Sequence, residues 1–422
     1  LLLEPRTVPE PRATGYRIWQ IAPLHAGGVA VRIASKPGVL AHGDRDVAAM
    51  MLAEAVASRR PENGPMASVH LHCGNGLVPA MAVARGFDVT ALDRHVANTE
   101  ATRRSLAASA AASGSSGADT PPDTGATRHT VHHAVLPTMV ASASAGLVTV
   151  RIPTDKVGVR QAIAEAYRCL AVGGTCLLAG ATDEGVKPAA RLLEELFGMV
   201  RIDAQHSGHR LLSTTKRHDA PIPAAICEPE WLDPASMRRL PVALAGESFT
   251  LCTRPGVFSW EHLDEATELL ATHMRVHTGE SVLDIGCGAG ALGVIAARAS
   301  QGGRVLLLDA DADAVRCARE SCALAGVSNA EVRASDIAEA AGDERFDVVV
   351  TNPPFHLGKR TDLTVPDAFI AESHAQLAPG GRLYLVANRT LPYEQLIAAR
   401  FGAVQTVHDG RRFKVLSATR TA

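Results

Sequence analysis

The sequence contains no C-x-x-C pair, and its eight cysteines are scattered. The nearest two, Cys317 and Cys322, fall in a helical pattern, which suits structural thiols better than metal ligands. Zinc-ribbon and dithiol redox chemistry are therefore excluded, no metal site is expected, and a reduced, cytoplasmic setting is expected. No apolar run reaches about 18 residues, so no membrane-spanning helix is expected. The opening residues, LLLEPRTVPEPR, meet Glu4 and Arg6 too early for a signal-peptide core. Neither sign of charge dominates: the net charge is −2, with 25 Lys+Arg against 22 Asp+Glu in residues 1–245 (+3) and 17 against 22 beyond them (−5). Eleven of the 17 histidines also lie in the first part, which makes it the better footing for a polyanionic partner. An apolar content of 46%, 20% charged residues and a mean hydropathy of +0.06 describe a globular chain. Its 422 residues suffice for two or three domains, each with its own core.

The chain states one pattern twice. VHLHCGNGLV (Val69–Val78) matches LDIGCGAGAL (Leu283–Leu292), and VTALD, closing at Asp93, matches VLLLD, closing at Asp309. LVTVRIPTD (Leu147–Asp155) answers DVVVTNPPF (Asp347–Phe355), LAVGGTCLLAG answers LAPGGRLYLVA, FGMV answers FGAV, and HSGHRLLSTTKR answers HDGRRFKVLSATR. Six matches in one order mark a duplication. Short Val/Leu-rich runs alternate with helical segments in each copy, so each is expected to be an α/β domain with a mostly parallel sheet covered on both faces. The fold class expected is two tandem Rossmann-like domains, residues 1–240 and 241–422, with the break near Pro234–Glu247. The small, polar stretch Ser105–Arg128 is expected to be a long flexible loop inside the first copy.

In the second copy SVLDIGCGAGALG places Gly286, Gly288 and Gly290 after a strand, where a ligand can approach the backbone and the first amides of a helix. Alone, this pattern is shared with dinucleotide binders. Asp284, two residues ahead of the glycines, would repel a pyrophosphate and attract an ammonium. That favours an amino-acid-bearing cofactor such as S-adenosylmethionine. Asp309, ending the next strand, can accept both ribose hydroxyls. Asp336, followed by Ile337, stands where it can accept from the adenine amine. Cys287 lies within the glycine turn. Asp311 and Asp313 read as helix caps.

The third strand of that copy ends in Asn352-Pro353-Pro354-Phe355. Proline fixes φ and keeps the residue before it extended. The Asn352 side-chain oxygen and the Pro353 carbonyl can therefore be set in advance to accept from a planar exocyclic amine, and Phe355 can stack on its ring. Lys359 and Arg360 follow, as candidate phosphate contacts. The motif suits any planar amine: guanine N2, adenine N6 or a glutamine amide. A non-catalytic RNA-binding assembly factor is the rival from another class.

Overlaid on this, the first copy has His70 for Asp284 and His72 for Gly286, and Ile152-Pro153-Thr154-Asp155 for Asn-Pro-Pro-Phe. It is expected to be catalytically silent. Arg151 and Lys156, beside the lost pocket, are candidate RNA contacts.

RPGVFSWEHLDEATELL, VLDIGCGAGALG, TNPPFHLGKRTD and LAPGGRLYLVANRTLPYE in the second copy, with RIPTDK and GATDEGVKPAARLLEELFG in the first, resemble the tandem-domain bacterial ribosomal RNA guanine-N2 methyltransferases. These are the small-subunit methyltransferase C and large-subunit methyltransferase G family. The resemblance implies a duplicated seven-stranded sheet with an antiparallel last hairpin, a catalytic second domain, and a degenerate first domain that holds RNA. It implies methyl transfer from S-adenosylmethionine to a guanine N2 of ribosomal RNA, 16S in preference to 23S, by a chain expected to be monomeric. The implied site residues are Asp284, Gly286, Gly288, Gly290, Asp309, Asp336 and Asn352–Phe355.

Overall fold

The computed structural model describes residues 15–43, 46–61, 66–112, 128–354 and 363–421. The chain forms two seven-stranded sheets, one per half. Counting strands along the chain within each half, both have the order 3-2-1-4-5-7-6. Strands one to five pair in parallel, and the last two run antiparallel to the fifth and to each other, respectively, as a closing hairpin. The strand composition accounts for this. Val305–Leu308 is wholly buried, as is Val348–Val350, and continuous apolar strands need cover on both faces. Helices supply it, giving each sheet a core on either side.

A β-hairpin precedes each sheet: Gln20–Ala26 with Val29–Ser35, and Arg238–Leu244 with Glu247–Thr253. Their turns, Gly27-Gly28 and Ala245-Gly246, have positive φ at both positions, the conformation that matches the strand twist of a two-residue hairpin. The second hairpin buries Leu244, Phe249 and Leu251 in the second half's core. The hairpin Arg238–Thr253, which straddles the expected break after residue 240, therefore packs with the second half. Of the stretch expected to be a flexible loop, the part up to Ala112 is helical, and residues 113–127 lie outside the described residues. The helix Val96–Ala112 continues into it, because alanine favours helix and Ser105 is fully buried, its hydroxyl donating to the Asn75 carbonyl at 2.7 Å and accepting from the Ala34 amide at 2.8 Å.

The halves meet through equivalent loops, those after the strands Phe87–Asp93 and Val305–Asp309. The Val96 amide donates to the Ala310 carbonyl at 2.9 Å, and the Ala312 amide donates to the Arg94 carbonyl at 2.8 Å. Residues 94 and 310 occupy matching places, as do 96 and 312, so the two bonds exchange under an approximate twofold axis. The contact has the self-complementary form of a symmetric dimer interface, built within one chain. Arg94 closes it with an ion pair to Asp311.

Candidate active site

The strand Val282–Ile285 runs into the glycine turn, and the helix Ala291–Ala299 leaves it. Gly286 has φ +75° and Gly290 +90°, values that side-chain-bearing residues rarely adopt. The Gly288 amide donates to Asp309 Oδ2 at 2.8 Å, and the Asp311 amide to Asp309 Oδ1 at 2.9 Å. In front of the turn lies a cavity of about 440 Å³. Gly286, Gly288, Asp309, Asp336, Ile337 and Asn352–Pro354 all reach its wall. A second cavity, of about 50 Å³, holds Cys287. Asp284 and Gly290 line neither: Gly290 caps the helix from behind, and Asp284 is sealed beneath the turn.

Asp284 is wholly buried, and no described residue makes a close hydrogen bond to its carboxyl, which only the Gly293 backbone amide faces. Burial, and then the Asp309 charge, push its pKa up to about 8. Asp309 is itself raised to about 6, by burial and by Asp311. A buried carboxylate with no partner is costly. A cation delivered to the glycine turn would relieve the cost, and an ammonium is such a cation. The acid at the next strand end, the exposed glycine backbone and the apolar side chains Leu308, Ile337, Val365 and Phe369 around the cavity suit the ribose and base of a nucleoside. The residues present thus fit S-adenosylmethionine, which supplies an electrophilic methyl group when bound.

Asn352 follows the strand Phe346–Thr351 directly. Its Nδ2 donates to Asp264 Oδ2 at 3.1 Å and to Thr267 Oγ1 at 3.0 Å, while Thr267 donates its own hydroxyl and amide protons to Asp264. This network fixes which way the amide faces. Oδ1 is left buried and without a partner among the described residues, and Asn352 is a lining residue of both cavities. It is an acceptor held ready for a donor. Asp264 and Thr267 were not singled out from the sequence. Their signal was the capping pattern in HLDEAT, since Asp264 is the N-cap of the helix Glu265–His273. Phe258, exposed at the mouth of both cavities, was also missed.

Phe355, Lys359 and Arg360 lie outside the described residues. Lys156 is exposed at the first turn of the helix Lys156–Cys169. Arg151 corrects an expectation. Its guanidinium is largely buried between Asp46, at 3.1 Å, and Glu184, at 2.8 Å, so it is engaged inside the half rather than offered to RNA. The strand register corrects a second one. Leu71 pairs with Val150, as Ile285 pairs with Thr351. Arg151, not Ile152, therefore stands in the place of Asn352. It also takes the equivalent partner, because Asp46 caps the helix Val47–Ala57 as Asp264 caps its counterpart. The shared Pro had set the sequence overlay one residue out.

The methyltransferase small domain family model matches residues 248–417. The ribosomal RNA small subunit methyltransferase C of Pseudoalteromonas atlantica is 33% identical over 273 residues, 63% of this chain and 74% of that protein. The protein of the same name from Pseudomonas aeruginosa is 34% identical over 249 residues, 59% of this chain and 72% of its own. Among solved structures, the T. thermophilus 16S rRNA N2 G1207 methyltransferase in complex with AdoMet and guanosine superposes with a TM-score of 0.76. It is 27% identical, and the match covers 96% of this chain and 99% of that one. On the sheet order, the glycine turn and these likenesses, the chain belongs to the ribosomal RNA small subunit methyltransferase C family.

Proposed function

We infer that this chain transfers a methyl group from S-adenosylmethionine to the exocyclic N2 of a guanine in 16S ribosomal RNA, the counterpart of the guanine named for the T. thermophilus protein. The observation that carries the chemistry is Asn352 Oδ1, buried and without a partner among the described residues, on a side chain that Asp264 and Thr267 fix and that lines the nucleoside-sized cavity. A guanine N2 amine is a weak nucleophile, its lone pair delocalised into the ring. Asn352 Oδ1 accepts one of its protons, and the carbonyl of Pro353, a residue of the same cavity wall, accepts the other. Both acceptors orient the nitrogen and offset the positive charge that grows on it, and being preset they cost no reorganisation. A base held in a duplex would have to be turned out of its stack first.

Lys156 and the 359–360 pair are candidate phosphate contacts. Among the described residues no helix is long and apolar enough to cross a membrane. The test is incubation with labelled cofactor and 16S RNA, free and within the small subunit, followed by digestion to nucleosides. N2-methylguanosine at a single position is expected, and N6-methyladenosine as the sole product would overturn the reading.

A further inference from the structure

Three polar residues of the N-terminal half converge on Asp336, in the wall of the other half's cavity. The Tyr16 hydroxyl donates to Asp336 Oδ1 at 2.6 Å, and Lys36 Nζ lies 2.7 Å from Asp336 Oδ2. Arg17 reaches the same oxygen at 3.2 Å, donates to the Asp336 carbonyl at 2.9 Å, and pairs with Glu372 at 2.7 Å. Glu372 in turn accepts from the Ala338 amide at 2.9 Å. Tyr16 is part of the cavity wall itself, along with Gly38 and His95 of the same half.

The arrangement is costly unless it serves the site. Lys36 is 1% exposed. It lies 3.6 Å above the Tyr16 ring, and the carboxylate recorded as its ion-pair partner belongs to the other half. Burial lowers its pKa, with Asp336 opposing. Burial, and then Asp336, raise that of Tyr16. The matching position in the second half is Arg254, which pairs with Asp313 of its own half. The reach across the interface is therefore particular to the first half, and it ends on the acid that faces the cavity beside Ile337.

We propose that Tyr16, Arg17 and Lys36 are positioning residues of the cofactor site, holding Asp336 so that it selects the 6-amino group of the adenine ring. A carboxylate offers about four acceptor positions. Tyr16 and the two cations take three, leaving one for an amine donor. That remaining position, on Oδ1, discriminates against a purine that brings no donor. The half that lost its own pocket thereby helps to form the one that works.

The proposal rests on the cofactor reading above, and its test measures binding rather than transfer. Calorimetry would compare S-adenosylhomocysteine with its purine analogue, which lacks the 6-amino group, on the full chain and on Tyr16→Phe and Lys36→Met. Wild type is expected to prefer the adenine ligand. Each variant should lose about tenfold in affinity for it, the effect of one charge-assisted contact, while its affinity for the purine analogue moves by less than about twofold. Equal losses for both ligands would reduce the three residues to structural support and overturn the proposal, as would unchanged affinity for the adenine ligand. Tyr16→Phe removes a single oxygen and carries the test if Lys36→Met does not fold. A wild-type chain that binds neither ligand would overturn the cofactor reading itself.

Discussion

Position 284 in the second half and position 70 in the first occupy the same place in the same sheet, and they hold opposite chemistry. Asp284 is a buried carboxyl with no close hydrogen-bond partner among the described residues. His70 is a buried imidazole with both nitrogens engaged, to Ser68 at 3.0 Å and Thr149 at 2.8 Å. One residue waits for a ligand, and the other has been satisfied from within. The neighbouring positions agree. His72 keeps the left-handed backbone of Gly286, with φ +57°, and fills the space that the glycine leaves open. Arg151 replaces the free acceptor of Asn352 with a cation already paired. About 20 Å³ remains in the first pocket, against about 440 Å³ in the second. The sheet, the glycine-turn contact to the strand-end acid (Gly74 to Asp93 at 3.0 Å) and the N-capped helix all persist. Loss of the site here therefore goes with changed side chains at three positions, on two strand ends, and leaves the core alone.

The largest break in the comparison should come from Asn352→Ala. It removes the acceptor that the first half lacks, and kcat should fall by about 100- to 1000-fold, the scale for one preset electrostatic contact. Cofactor affinity measured by calorimetry should stay unchanged. Wild-type turnover in this variant would remove Asn352 from the mechanism.

Asp284→Asn should act on binding instead, with an expected loss of about 100-fold in cofactor affinity. Its pH behaviour sharpens the contrast. A carboxyl raised to about 8 when folded favours the protonated native state, so its stabilising contribution is full below about pH 4 and is lost as pH rises to about 8. The ligand-free variant should thus melt higher than ligand-free wild type at pH 8, with little difference at pH 4. At pH 7, cofactor uptake by wild type should release a proton, detectable by calorimetry in buffers of different ionisation enthalpy, and the variant should release none. Identical melting at both pH values would show that Asp284 is charged and solvated in solution.

Thr267→Val tests what holds Asn352. It leaves the Asp264 cap in place and removes one of the two acceptors of Nδ2. A fall in kcat of about tenfold with unchanged cofactor affinity is expected, as the amide gains freedom to turn. A change in affinity alone would make Thr267 a wall residue.

Much of this was legible in advance, for identifiable reasons. The duplication and the α/β class follow from repeated buried strands such as VLLLD, whose composition leaves few alternatives. The glycine turn and Asn-Pro-Pro are local, so residue type and spacing reveal them. Asp264 and Thr267 act on Asn352 from 88 and 85 residues away, and only the folded chain brings them together. Tyr16 and Lys36 meet Asp336 over separations of about 300 residues, where no periodicity can signal a contact. Arg151 was misread because residue type indicates a charge but not its partner. Asp46 and Glu184 lie far from it in the chain and consume it.

A change read in stability alone tests the first half. Burial depresses the pKa of His70 to about 3. A depressed folded pKa contributes stability that is present above the unfolded value, about 6.5, and is lost as pH falls toward about 3. At pH 5 the loss is on the order of 2 kcal/mol, so wild type should become measurably less stable between pH 7 and pH 5. His70→Asn, which can keep contacts to Ser68 and Thr149 but cannot titrate, should lose less over the same interval in urea unfolding followed by near-ultraviolet circular dichroism. The two halves would then respond to pH in opposite senses at one structural position, the second disfavouring alkali until its ligand binds and the first disfavouring acid whether or not a ligand is present. Equal pH dependence in His70→Asn and wild type would mean that the imidazole is not sealed in, and that the first pocket is open enough to admit water.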